Sequence, residues 1–337
     1  MTYQLIKQDC VAWMDAQKEK SIPCIITSPP YNLDINYGKY QDDLPRESYL
    51  KWLHDVAVSM KRVLTDDGQL FLNVGYSNVD PWVAMDVAQV FRKHFVLQNN
   101  FTWVKHIAVN DKGYGQYKPI TSNRFASATT ESVFHFTKTG TVPIDRLAIG
   151  QRNQTHEKYP ELYSEGRHIA TQRRKTATSM KFTNWLDLKS NASPEQLIEF
   201  KEKLKDMLAK NPYDANKKKC IGNAWFIPYT PTSKLAKEAG AKNDTGTREK
   251  GRGGHPATFP QGLVDMCIKV SGIPPDSIVY DPFIGTGTTA ISAIKLGMQC
   301  VGTDIDQEYL NFAEQRIQNR PFTTTYNSIF EASDDSK

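Results

Sequence analysis

The sequence predicts an α/β fold: a sheet whose strands are joined by crossover helices, interrupted by one long polar insertion. Three observations carry that reading. Short apolar runs rich in β-branched and aromatic residues alternate with helical periods toward both ends of the chain. Two of those runs deliver proline, glycine and hydroxyl residues at their C-terminal ends. From about residue 140 to 254 the alternation gives way to polar, basic and turn-forming residues.

The expected strands are Tyr3–Ile6, Cys24–Thr27, Gln69–Val74, Gln98–Val104, Ser132–Thr137, Ser277–Tyr280 and Gln299–Gly302. Over Glu47–Leu64, the residues Leu50, Leu53, Val56, Ala57, Met60 and Leu64 fall on one helical stripe, and Thr65-Asp66-Asp67-Gly68 should end it. Thr288–Leu296 is a helix that stops at Gly297, and Gln307–Gln318 is a second. Within the insertion, Ser193-Pro194-Glu195-Gln196 opens a charged helix through Lys210, and Asn243–Gly254 has a connector's composition. The division is 1–139 and 255–322 as two halves of one domain, 140–254 as the insertion, and 323–337 as a tail.

A chain of 337 residues buries a large core without covalent staples. Cys10, Cys24, Cys220, Cys267 and Cys300 form no C-x-x-C pair, which argues against a zinc site or a disulfide framework and for a reducing compartment. No stretch approaches the ~18 apolar residues of a membrane span, so a soluble, cytoplasmic protein without a membrane partner is expected. The net charge of +5 is unevenly spread. Residues 151–253 hold 21 Lys and Arg against 12 Asp and Glu, whereas the rest of the chain holds 21 against 25. A localised basic segment suits a phosphate-backbone partner, and a solvated lysine-rich helix is its plain alternative.

Two constellations carry chemistry. In the first, Ser277–Tyr280 runs into Asp281-Pro282-Phe283-Ile284-Gly285-Thr286-Gly287-Thr288-Thr289, a glycine turn that lets a ligand approach the backbone. No Gly-Lys-Ser/Thr follows, which excludes a phosphate loop. One strand later Asp304 is placed to accept from both ribose hydroxyls, so the pair points to an adenosyl cofactor. Singly, Asp304 also reads as an N-cap and Asp281 as a turn cap.

The second constellation is Cys24–Thr27 leading into Ser28-Pro29-Pro30-Tyr31-Asn32. Two prolines fix φ and remove two N–H donors, leaving the Ser28 hydroxyl and the Pro29 carbonyl as acceptors. Acceptors gripping both N–H bonds of an aryl amine would turn its delocalised lone pair toward an electrophilic methyl group. Tyr31 offers a face for an extruded base, a contact worth roughly 1–3 kcal/mol. Taken alone, Ser-Pro-Pro-Tyr is a stiff surface turn.

With both motifs in this order, the sequence resembles the beta class of S-adenosylmethionine-dependent DNA amino-methyltransferases, which modify cytosine N4 or adenine N6. The resemblance covers roughly 1–138 and 255–320. It implies a Rossmann-like, mostly parallel seven-stranded sheet with one antiparallel strand, and a target nucleotide flipped from double-stranded DNA. It casts Ser28, Pro29, Pro30 and Tyr31 as the catalytic motif. It casts Asp281, Pro282, Phe283, Gly285, Gly287, Thr288 and Asp304 as the cofactor loop, with Asp9 and Cys10 at the cofactor adenine. His255, Thr258 and Phe259 would lie at its methionine end. It leaves the basic insertion as the target-recognition region, with Arg173, Arg174, Lys175, Lys217, Lys218 and Lys219 as candidate DNA contacts. A serine at the first motif position is more typical of cytosine-N4 enzymes, and a cognate restriction endonuclease is a candidate partner.

Rivals explain less. A cytosine-C5 enzyme needs a cysteine at the catalytic strand end, but Cys24 opens its strand. A nicotinamide dehydrogenase fits Gly285-x-Gly287-x-x-Ala290 but gives Ser28–Tyr31 no role. RNA or protein methylation at a similar loop stays open, and a non-catalytic DNA-binding module explains only the basic segment.

Overall fold

The computed structural model describes residues 3–33, 40, 42–78, 80–109, 112–115, 121–149, 193–195, 198, 222–229 and 259–320. The chain divides into two compact units, 1–148 with 222–337, and 149–221, and the sheet belongs to the first. Its N-terminal half runs β1 (Tyr3–Lys7), α1 (Cys10–Ala16), β2 (Ile22–Thr27), α2 (Arg46–Val63), β3 (Leu64–Val74) and α3 (Val83–Arg92). Then come β4 (Val96–Val104), a separate antiparallel hairpin of β5 (His106–Val109) and β6 (Lys112–Gly115), and β7 (Thr130–Thr137). After β8 (Ala224–Phe226) follow α4 (Gln261–Ser271), β9 (Ile278–Asp281), α5 (Thr288–Lys295), β10 (Gln299–Asp304) and α6 (Gln307–Gln318).

The sheet order is β1-β10-β9-β2-β3-β7-β4-β8. The first five strands are mutually parallel, and β7 runs antiparallel to both its neighbours. This is the expected mostly parallel sheet with one antiparallel strand, extended by β8. Three residues inside a polar stretch are too few to display a period, which is why β8 has no signal in the pattern. It is held by pairing with β4 from Thr102 to Val104 and by one large side chain: Trp225 is buried and stacks on Phe101 with ring centroids 4.2 Å apart.

Helices cover both faces, so the central strands are buried on both sides and read as continuous apolar runs. Leu70, Leu72 and Val74 of β3 pack with Trp13 and Met14 of α1, Leu53 and Met60 of α2, and Val87 of α3. On the other face Gln69 Nε2 donates to the Ser271 carbonyl of α4 at 2.6 Å. The stripe of α2 is shifted slightly from the expected one. Tyr49 is fully buried where Leu50 is only partly so, and Leu64 belongs to the strand. Thr65–Gly68 does not separate α2 from β3 but lies within β3, where the pairing with β2 jumps from Ile22↔Leu64 to Cys24↔Gln69.

Among the described residues no helix is long and apolar enough to cross a membrane. No group of three or more His, Cys, Asp or Glu among them is arranged to hold a metal ion.

Candidate active site

Four adjacent parallel strands, β1, β10, β9 and β2, end at one cleft with a cavity volume of about 110 Å³. The end of β1 supplies Gln8, Asp9 and Cys10, and the end of β2 supplies Ser28, Pro29, Pro30 and Tyr31. Pro282 and Phe283 come from β9, and Asp304, Ile305 and Asp306 from β10. A crevice at the carboxyl ends of strands is where open α/β sheets bind ligands. The two motifs are joined directly: Thr27 Oγ1 donates to Asp281 Oδ1 at 2.7 Å across the β2–β9 pairing.

The Ser28–Tyr31 loop is held from several sides. Asp42 accepts from the backbone N–H groups of Asn32 and Leu33 at 2.8 and 3.0 Å. Asn32, at φ +57°, exchanges two hydrogen bonds of 2.7 Å with the Leu44 backbone. Tyr49 Oη donates to the Pro30 carbonyl at 2.8 Å. Among the described residues no such bond is formed to the Pro29 carbonyl. Tyr31 lines the cleft but is only 8% exposed, and its hydroxyl is tied to Ser28 Oγ at 2.8 Å. Gly75 makes room for that ring, because a Cβ there would stand 2.9 Å from Tyr31 Cε2.

The opposite wall rests on carboxylates. Asp304 Oδ2 accepts from Gly285 N at 3.0 Å and Oδ1 from Asp306 N at 2.8 Å. Burial pushes its carboxyl above the usual range, and those two N–H groups oppose the shift. Asp304 is not the N-cap of α6, a position taken by Asp306. Asp9 caps α1, accepting from Val11 N and Ala12 N at 3.0 Å. Aromatic rings run along the cleft: Trp52 lies 5.6 Å from Tyr40 and 5.5 Å from Phe283. The Tyr309 phenol is raised to about 12, chiefly by burial, then by Asp306 and Asp304, so it stays a donor at neutral pH.

The remaining motif residues serve the turn and do not line the cleft. Asp281 is 1% exposed and accepts from Thr27 Oγ1, Phe283 N and Thr289 Oγ1. Its carboxyl is raised to about 6 because burial outweighs these donors. Thr288 is buried, and Gly285 supplies its N–H to Asp304. Gly287 has φ +80°, and a Cβ on it would meet Ala313 Cβ at 2.8 Å. Phe259 borders a separate small void of about 10 Å³ with Thr27, Asn73 and Cys267. His255, Thr258, Arg173, Arg174, Lys175, Lys217, Lys218 and Lys219 lie outside the described residues. Cys24 is fully buried and away from the cleft, and burial raises its thiol to about 12, which removes it as a nucleophile.

Gln8, Tyr40, Trp52, Ile305, Asp306 and Tyr309 line the cleft although the sequence motifs do not single them out. Gln8, Ile305 and Asp306 adjoin motif residues, so proximity is their signal. Tyr40 and Trp52 have none, since they reach the cleft from a loop and from the flank of α2.

A family model for DNA methylases, of the N6/N4 group, matches residues 22–315. The type II methyltransferase M.BglII of Bacillus subtilis is 24% identical over 311 residues, 90% of this chain and 65% of that protein. The DNA adenine methyltransferase YhdJ of Escherichia coli K12 is 21% identical over 93% of this chain and 82% of its own. This chain therefore spans about two thirds of M.BglII and more of YhdJ. Among solved structures, the cytosine-N4-specific PvuII DNA methyltransferase superposes with a TM-score of 0.57 at 17% identity, covering 94% of this chain and 86% of that one. The fold, the shared cleft and a match over most of the length agree: the chain belongs to the DNA methylase family, with its motifs in the order of the beta-class amino-methyltransferases.

Proposed function

We propose that this protein transfers a methyl group from S-adenosylmethionine to an exocyclic amine of a flipped base in double-stranded DNA, with cytosine N4 as the target. The observation that carries the reading is the meeting of the Ser28–Tyr31 loop and the Asp304 strand end in one cleft. Asp304 suits a ribose diol, and the Pro282, Phe283, Ile305 and Tyr309 walls suit an adenine ring. When bound, the cofactor supplies an electrophilic sulfonium methyl.

The chain's own contribution is orientation. Ser28 Oγ and the Pro29 carbonyl accept the two amine hydrogens, which draws the nitrogen lone pair out of conjugation. Pro30 cannot compete for the base, because its carbonyl is engaged by Tyr49. The insertion, 140–254, is assigned to target recognition, with the basic clusters at 173–175 and 217–219 on phosphates.

Incubating the protein with labelled S-adenosylmethionine and polymerase-copied DNA, then sequencing the product for modified bases, tests the whole reading. N4-methylcytosine in a fixed context is expected, and absence of any methylated base overturns it. Adenine N6 is the second reading, favoured by the likeness to YhdJ over nearly the full chain. Neutralising Lys217, Lys218 and Lys219 should reduce the salt slope of DNA binding by up to about three phosphate contacts, and an unchanged slope would move the DNA surface elsewhere.

A further inference from the structure

A serine hydroxyl is both donor and acceptor, so proximity to an amine does not decide which role Ser28 plays. The groups behind the loop do. Tyr31 Oη lies 2.8 Å from Ser28 Oγ and 3.2 Å from Glu131 Oε2 of β7. Asn73 Nδ2 of β3 donates to Tyr31 Oη at 2.8 Å and to Glu131 Oε2 at 2.7 Å. The other carboxylate oxygen, Glu131 Oε1, is in close ion-pair contact with Lys105, and both side chains are largely buried.

We propose that Glu131 is a positioning residue that, through Tyr31, fixes Ser28 as a hydrogen-bond acceptor toward the target amine. An ionised carboxylate only accepts. Tyr31 has one proton, and the charged oxygen is a stronger acceptor for it than the Asn73 carbonyl at 3.4 Å. With that proton committed, Tyr31 Oη accepts from Ser28, so the Ser28 proton points away from the cleft and its lone pairs face inward. Asn73 reports the same pull. It turns its NH₂ to Glu131 and Tyr31 although its own Oδ1 finds no partner among the described residues. The inference rests on the proposed amine-methylation reading and goes beyond it, since neither motif contains Glu131 or Asn73.

The test uses the 337-residue chain with labelled S-adenosylmethionine and polymerase-copied DNA. Glu131→Gln should lower kcat roughly tenfold or more, with KM for both substrates within about twofold. In the Tyr31→Phe background the same substitution should cost nothing further, because the relay is already cut. Multiplying effects would overturn the proposal while leaving the methylation reading intact. Absence of transfer by the wild-type protein would overturn both. If Glu131→Gln does not fold, the Ser28→Ala and Tyr31→Phe pair replaces it, with Tyr31→Phe expected to be silent once Ser28 is gone. An activity-free readout is the Tyr31 ¹³Cζ resonance of the free protein. It should move upfield in Glu131→Gln as the phenol loses its anionic acceptor, and an unmoved signal overturns the relay.

Discussion

On the Asp304 wall of the cleft the acceptors are carboxylates filled by backbone N–H groups of the turns after β9 and β10. On the Ser28 wall they are hydroxyls ordered by side chains from β3 and β7. Backbone donors are fixed by the turn itself, so the first wall keeps its shape as long as the turn does. Hydroxyl networks take their direction from whichever charged group terminates them, so the second wall depends on residues far away in the chain. The comparison predicts that changes on the Asp304 wall act on affinity, and changes on the Ser28 wall on turnover.

The largest expected effect is on the second wall. Ser28→Ala and Tyr31→Ala should each lower methyl transfer about a hundredfold or more, with calorimetric cofactor affinity within about threefold. Equal losses in both quantities would erase the distinction between the walls. Asp304→Ala should do the converse, weakening cofactor binding about 10- to 100-fold, as loss of charge-assisted hydrogen bonds requires. An unchanged dissociation constant would remove Asp304 from the cofactor site. Gly75→Val is a subtler break. Its side chain would crowd Tyr31 Cε2 and Glu131 from behind, so turnover should fall about tenfold with cofactor affinity intact.

The smallest effect concerns Asp281, which belongs to the scaffold joining both walls. Its carboxyl is raised from 3.8 to about 6, so the folded state holds a proton across that interval that the unfolded chain has lost. Stability should therefore decline as pH rises from about 4 to 6 and then level off. Asp281→Asn removes this slope, and its melting temperature relative to the wild type should climb by about 2–5 °C over the same interval. Parallel melting curves would mean that burial of Asp281 is fully compensated by Thr27, Thr289 and the Phe283 N–H.

The asymmetry between the walls also decides which of their residues are legible in the sequence. The strand ends at Asp281, Asp304 and Thr27 stand out because each follows an apolar run, and the β-sheet brings them together by simple adjacency. Asn73 and Glu131 carry no motif. Asn73 sits at the end of an apolar strand as one polar residue among neighbours, and Glu131 meets Tyr31 only because β7 turns antiparallel beside β3. Their contribution is a long-range contact across 42 and 100 residues, which local pattern cannot contain. In the proposed relay the prolines keep competing N–H donors away, and Glu131 adds the direction of the Ser28 hydroxyl. Short elements escape for a different cause: α1 spans two turns and β8 three residues, below the length at which a period is visible.

Buried Arg316 of α6 reaches back to the glycine turn, donating to the Thr286 carbonyl and to Thr286 Oγ1 at 3.0 Å. The cleft thus draws on Gln8–Cys10 and on a brace more than three hundred positions further along. A nascent chain stalled before Arg316 would own both motifs and still lack the strut that stiffens one of them. Arg316→Met in the whole chain should therefore loosen the turn and weaken binding of the donor nucleoside, a loss that calorimetry would read.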